Sequence, residues 1–244
     1  MPRAPRRCHL DGLAPSVRND VIAGDGGANF LAGWAGNDLI RGLAGSDTIN
    51  AGPGSDYLDG GSGNNRLNGA AGVDIVTFAF SSGPVTVDLV AGKARRGGET
   101  DRLSSIEGAV GTAAADRLTG DEHDNYFQGR LGSDRLTGGA GRDTFYYDRV
   151  RDSPPGAGKR DVIADFTPGE DVLDLARIDA DATAPGLQSF RWVGNAPLGG
   201  PGQVGYVVVG GNTIVRASTD ADPQPELEIE LLGEKALPGV DVRP

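Results

Sequence analysis

Along two stretches of this chain an apolar residue returns every nine positions, with polar residues and glycine between. Residues 24–77 divide without a gap into six units, GDGGANFLA, GWAGNDLIR, GLAGSDTIN, AGPGSDYLD, GGSGNNRLN and GAAGVDIVT. Residues 111–146 give four more, GTAAADRLT, GDEHDNYFQ, GRLGSDRLT and GGAGRDTFY. The eighth position is apolar each time: Leu31, Ile40, Ile49, Leu58, Leu67 and Val76, then Leu118, Phe127, Leu136 and Phe145, with Ile22 in the partial unit PSVRNDVIA at 15–23. A chain that is 38% hydrophobic does not keep such a register by accident. Successive side chains of a strand point to opposite faces, so positions seven to nine form a very short strand whose middle side chain faces inward. Positions one to six form a turn, where glycine supplies conformations that other residues resist. Two units close one coil of eighteen residues, which stacks equivalent positions about 4.8 Å apart. The pattern predicts an all-β fold, a parallel β-roll with a C-terminal antiparallel β-rich cap.

The roll is assigned to 15–146, with regular repeats at 15–77 and 111–146 and coils poor in the repeat pattern at 78–110. Within 78–110, Val85, Val87 and Leu89 alternate with polar residues as in a half-buried strand. The segment GKARRGGE reads as an exposed turn with Arg95 and Arg96 in solvent, and Asp101 with Leu103 echoes the repeat faintly. Residues 1–14, rich in Arg and Pro and without a period, read as a disordered leader. From 147 to 244 the nine-residue register is lost, and strand-like runs at 188–193, 203–209, 212–217 and 226–232 predict hairpins of a small antiparallel sheet. An open solenoid end invites edge-to-edge pairing, which such a cap prevents.

The sixth position carries the chemistry. Stacking turns one column into Asp20, Asp38, Asp56 and Asp74 and the other into Asn29, Asp47 and Asn65; the second stretch repeats this with Asp116 and Asp134 against Asn125 and Asp143. Like charges about 5 Å apart repel by roughly 3 kcal/mol even at an effective dielectric of about 20. Such columns need a cation, and clustered carboxylate and carbonyl oxygens suit Ca²⁺. The calcium-holding turns are therefore assigned to these eleven residues and to the fourth-position glycines Gly27, Gly36, Gly45, Gly54, Gly63, Gly72, Gly132 and Gly141. Asn offers oxygen without charge, so the all-Asp column is expected to bind calcium more tightly. Asp25 and Asp121, at second positions of Asn-bearing units, either restore charge there or serve as ordinary turn residues. A net charge of −11 disfavours nucleic acid as a partner. One cysteine, Cys8, leaves no internal disulfide framework, and no apolar run is long enough for a membrane span. The N-terminal segment lacks the apolar core of a cleaved secretory signal.

These units resemble the RTX, or hemolysin-type calcium-binding, repeat G-G-x-G-x-D-x-U-x. The segment DTFYYDRVRDSPP…RDVIADFTPGEDVLDLARID at 143–179 is further similar to the C-terminal region of serralysin-type secreted metalloproteases. That resemblance implies several Ca²⁺ ions, export through type I secretion machinery and an extracellular location. Where that family often carries a DxDxDG-like calcium loop, this chain has STDADPQPE at 218–226, without the glycine and with prolines, so Asp220 and Asp222 are not counted as ligands. The protease centre itself is excluded, because H-E-x-x-H-x-x-G-x-x-H needs three histidines and the chain has only His9 and His123. Neither a G-x-S-x-G elbow nor a phosphate-binding GxxxxGK[ST] loop occurs. The expected function is thus non-enzymatic: a secreted protein that folds on binding calcium after export. The alternatives are the folding and secretion tail of an extracellular enzyme whose catalytic domain is absent from this chain, and a module that contacts extracellular polysaccharide.

Overall fold

The computed structural model describes residues 6–7, 17–222 and 224–243, and among them there is no α-helix, only strands and two short 3-10 turns. The chain forms two compact units, Met1–Thr112 and Ala113–Pro244. Of the leader at 1–14, only Arg6–Arg7 is described; it pairs in parallel with Asn29 and Phe30, and the rest of that expectation lies outside the described residues.

In the first unit the strands alternate between two parallel sheets. Asn29–Ala32, Thr48–Pro53, Arg66–Ala71 and Glu99–Ser104 follow one another in one sheet. Val21–Ala23, Leu39–Arg41, Tyr57–Asp59, Ile75–Thr77 and Gly108–Val110 make the other. Register places Leu31 beside Ile49, Leu67 and Leu103, and Ile22 beside Ile40, Leu58, Val76 and Ala109. Equivalent positions thus stack eighteen residues apart as far as Leu67 and Val76, as the period requires, and the last partners, Leu103 and Ala109, lie 36 and 33 residues on. Every eighth-position side chain from Leu31 to Val76 is fully buried, while Ile22 at the end of the stack is half-buried. A continuous apolar ladder of this kind supplies the hydrophobic stabilisation that strands of three residues could not gain singly.

Residues 78–110 depart from the expected exposed turn. Lys93–Arg96 is a strand, paired antiparallel with Thr86–Asp88 on one side and Glu99–Ser104 on the other. The chain makes a hairpin excursion and then re-enters the parallel stack. Alternation along Lys93–Arg96 turns Ala94 and Arg96 inward, so Arg96 is buried while Arg95 alone stays in solvent.

Two turn positions explain the glycine pattern. At Gly54, φ is +150° and a Cβ would overlap the Gly36 carbonyl oxygen one coil earlier, so neither conformation nor space admits a side chain. The second position also lies in the left-handed region, yet Trp34, Leu43, Ala70 and Arg130 occupy it with φ of 72°, 73°, 82° and 72°. These side chains carry the strain that glycine avoids at the equivalent Gly52 and Gly61. Leu43 is half exposed, so Leu43→Gly loses little packing and is expected to stabilise the calcium-loaded protein by about 0.5–1 kcal/mol. Denaturant unfolding in saturating calcium checks this; a less stable variant would show that the turn depends on the leucine side chain.

The second unit repeats the design. Arg117–Thr119, Arg135–Thr137, Asp161–Ile163 and Leu227–Leu231 stack in one parallel sheet. Tyr126–Gln128, Thr144–Tyr146, Val172–Asp174 and Val242–Arg243 stack in the other. The parallel pairing therefore runs on beyond 146, carried by D-V-I and D-V-L triplets that follow turns outside the nine-residue pattern, with Gly156 and Gly158 before the first and Gly169 before the second. Leu227–Leu231 is the pivot, because its other edge pairs antiparallel with Asn212–Ser218, which pairs antiparallel with Gln203–Val209. The hairpins expected from 203–209, 212–217 and 226–232 form in this way, whereas of 188–193 only Arg191–Trp192 is a strand, and it pairs in parallel with Gln203 and Val204 rather than in a hairpin. Phe127 and Phe145 of the repeats and Phe166 beyond them pack with tilted rings, neighbouring centroids 6.2 Å apart, and with Tyr147 all are buried, so the apolar ladder of the second unit continues past the last repeat as aromatics.

Candidate metal centre

Each sixth-position side chain lies just before its strand and reaches back to the preceding coil. Asp38 Oδ1 accepts the Asp20 amide at 2.8 Å, Asp56 Oδ1 that of Asp38 at 2.7 Å and Asp74 Oδ1 that of Asp56 at 2.9 Å. In the other column Asp47 Oδ1 accepts from Asn29 at 2.8 Å and Asn65 Oδ1 from Asp47 at 2.9 Å. The second unit does the same from Asp116 to Asp134 and from Asn125 to Asp143. All eleven predicted polar residues stand in these ladders, and ten are buried, Asp20 being half-buried.

One carboxylate oxygen is thereby satisfied and the other is not. The Oδ2 atoms of Asp38, Asp47, Asp56, Asp74, Asp134 and Asp143 are buried with no hydrogen-bond partner among the described residues. An ionised oxygen stripped of water and left unpaired is expensive. Where it points is defined by the first-position glycines: a Cβ on Gly33 would meet both Asp38 Oδ2 and the Ala51 carbonyl oxygen, and one on Gly42 both Asp47 Oδ2 and the Gly60 carbonyl oxygen. Gly69 is in the same position between Asp74 Oδ2 and the Ser105 carbonyl oxygen. Carboxylate and carbonyl oxygens from successive coils thus converge without donors, and that oxygen-only donor set fits a hard divalent cation such as Ca²⁺.

The electrostatics agree. Burial pushes the carboxyls of Asp74, Asp134 and Asp143 up to about 7, against the lowering effect of their backbone hydrogen bonds. Neighbouring carboxylates add to the rise: Asp56 and Glu107 at Asp74, Asp116 and Asp152 at Asp134, and Asp171, Asp165 and Asp124 at Asp143. Asp38, Asp47 and Asp56 are raised for the same leading reason, burial. A cation beside them would reverse that trend.

The ladders are longer than the repeats. Asp101 Oδ1 accepts the Asn65 amide at 2.8 Å and Glu107 Oε2 the Asp74 amide at 2.8 Å. Asp161 Oδ1 accepts from Asp134 at 2.8 Å and Asp171 Oδ1 from Asp143 at 3.0 Å. The signal that could have found three of these is the triplet of Asp, any residue and an aliphatic: D-R-L, D-V-I and D-V-L. Asp25 and Asp121 behave as turn residues: Asp25 Oδ1 accepts the Gly27 amide at 2.8 Å and the Asn29 side chain at 3.1 Å, and Asp121 Oδ1 the His123 amide at 2.9 Å. His123 itself is exposed, its Nδ1 3.2 Å from Asp121. In the C-terminal loop, Asp220, Asp222 and Glu226 gather ligand oxygens within 4.8 Å of one another, although two of the three were set aside on sequence grounds.

A family model of the RTX calcium-binding nonapeptide repeat matches the chain in four copies, at residues 16–49, 41–76, 110–145 and 119–153. No curated protein matches the chain in sequence. Among solved structures, the AlgE6R3 subunit of the Azotobacter vinelandii mannuronan C5-epimerase aligns over 95% of this chain and 81% of its own, at 19% identity and a TM-score of 0.30. The AlgE6R2 subunit of the same enzyme aligns over 91% and 90%, at 20% identity and 0.30. The extracellular lipase LipA of Serratia marcescens aligns over 98% of this chain and 42% of its own, at 15% identity and 0.33.

Proposed function

From the RTX calcium-binding repeats that this chain carries, which bind Ca²⁺, we propose that the protein is a non-catalytic module whose folding is triggered by calcium outside the cell after type I export. The observation that carries this reading is the row of buried, unpartnered Oδ2 atoms at Asp38, Asp47, Asp56, Asp74, Asp134 and Asp143. Bound Ca²⁺ supplies positive charge and accepts oxygen ligands. The chain supplies those ligands as paired turns on successive coils, and in the folded state the backbone amides fix each carboxylate through Oδ1 so that Oδ2 is aimed at the ion. Asn29 and Asn125 turn a neutral Oδ1 toward Gly24 and Gly120 in the second column, whereas Asn65 turns its Nδ2 toward Gly60 and accepts the Asp47 amide through Oδ1, and the glycine turns keep the coils close enough to share an ion.

Without calcium the stacked carboxylates oppose the fold, so metal binding and folding are one equilibrium. A chain that stays open where calcium is scarce and closes where it is abundant suits passage through a narrow secretion channel. The two columns separate the ligands experimentally. Asp38→Asn, in the all-Asp column, is expected to raise the calcium concentration at half-folding on the order of fivefold, and Asp47→Asn less. An unchanged midpoint for Asp38→Asn beside a strong shift for Asp47→Asn would reverse the assignment of the tighter edge.

A further inference from the structure

Arg96 is buried although its segment has the composition of an exposed turn, and its surroundings repeat those of the ladder oxygens. Its guanidinium donates to the Gly61 carbonyl oxygen, its Nε lies 3.2 Å from Glu99 Oε2, and its Nη2 lies 3.6 Å from Asp101 Oδ2. Glu99 in turn accepts the Gly63 amide through Oε1 at 2.8 Å. Gly61 and Gly63 are the second and fourth positions of the unit 60–68, and Asp101 follows Asn65 in its column. A turn carbonyl on one coil and a ladder carboxylate on the next are therefore bridged by one positive group. Asp101 is not among the aspartates with an orphaned oxygen. Arg96 and Asp101 are 8% and 2% exposed, so this ion pair is sealed from water. The face of the guanidinium lies 5.2 Å from the centroid of the Phe78 ring, which closes the site from the other side.

Resting on the calcium reading above, we infer that Arg96 is a built-in counterion that takes the place of a calcium ion at the last turn of this column. The planar guanidinium offers several donors in fixed directions and satisfies a carbonyl and two carboxylates together. Its charge and bulk exclude a second cation from the same oxygens. The hairpin excursion at 86–104 delivers the arginine, since alternation along Lys93–Arg96 turns it under the turn at 60–68. The coil made by Arg66–Ala71 and Glu99–Ser104 then closes without metal and offers a formed edge on which the calcium-dependent coils stack.

The test counts calcium ions on the full chain at saturation by equilibrium dialysis, beside hydrogen exchange during a calcium titration. Arg96→Met is expected to bind one more Ca²⁺ per chain than the wild type, and Arg96→Lys, which keeps the charge, the same number as the wild type. In the wild type, the amides of Asn65 and Arg102, held by Asp101 and Asn65, should gain protection at a calcium concentration at least about threefold below that needed by Asp38 and Tyr57. An Arg96→Met variant that binds no additional ion, in a chain whose wild type binds calcium, overturns the inference alone. If Arg96→Met does not fold at any calcium concentration, the wild-type exchange order decides, and protection gained together or in the opposite order overturns it. A wild type that binds no calcium defeats the reading beneath it, and this inference with it.

Discussion

Gly54→Ala is expected to cost about 3–4 kcal/mol of stability in saturating calcium, the cost of a severe core defect from a single methyl group. The added carbon would overlap the carbonyl oxygen of Gly36, and the backbone at φ +150° is one that residues with a Cβ rarely adopt. Relief requires the coils to part, but equivalent positions stack at one strand spacing, about 4.8 Å, with no slack. Parting them strains the hydrogen bond that the Gly36 amide donates to the Pro53 carbonyl (3.0 Å), and it separates the turns that bracket Asp38 and Asp56. Calcium affinity should fall together with stability. Gly83→Ala is the matched control: φ there is +78°, but nothing lies within 4 Å of the new carbon. It pays only the backbone term, about 1 kcal/mol. Denaturant melts of the two variants separate the terms, and equal losses would mean that coil contact is not what fixes the fourth-position glycine.

The second large effect is an inverted pH dependence in the absence of calcium. Asp74, Asp134 and Asp143 have an ordinary value of 3.8, which burial, with neighbouring carboxylates adding, raises to about 7 in the fold. Between those values the folded chain holds protons that the unfolded chain has released. Stability from these groups is therefore fully present below about pH 4 and is lost as pH rises through about 7. In chelator the protein should be more stable at pH 5 than at pH 8. With calcium the order reverses, because protons compete for the same oxygens and the calcium midpoint rises as pH falls below about 7. The folded fraction at the two pH values, read by far-UV circular dichroism with calcium and with chelator, checks both halves. Greater stability at pH 8 in chelator would show that the ladder carboxylates are not held in the strained, ionised state described.

The eighth-position residues were legible because nine residues of chain always return the same side chain to the same face, whatever the turn contains. Leu31, Ile49 and Leu67 could be placed in one column from spacing alone, and so could the ladder of Asp38, Asp56 and Asp74. Spacing failed where the connection changed length. Asn65 meets Asp101 across 36 residues, two full periods, so Asp101 shows only as a faint echo, and Asp134 meets Asp161 across 27, which a search at eighteen passes over. The structure keeps the strand pairing and lets the turn vary, whereas the eye follows the glycines of the turn. Arg96 was misread for a related reason: GKARRGGE has the composition of an exposed turn, and only pairing with Thr86–Asp88 and Glu99–Ser104 makes alternation bury every second residue of Lys93–Arg96. The strained second position was invisible as well, since Trp34 and Leu43 give no sign in the sequence that their backbone is left-handed.

The central claim is that calcium, by engaging the orphaned aspartate oxygens, completes the fold. Far-UV circular dichroism during a calcium titration tests it most directly, with magnesium titrated in parallel. Magnesium demands a small octahedral shell that turns on separate coils do not provide, and it dehydrates reluctantly. A cooperative rise in β signal is expected with calcium and none with magnesium. A β signal already complete in chelator would contradict it: the apolar ladder from Leu31 to Val76 would then suffice to hold the coils together, and the Asp columns would not govern folding.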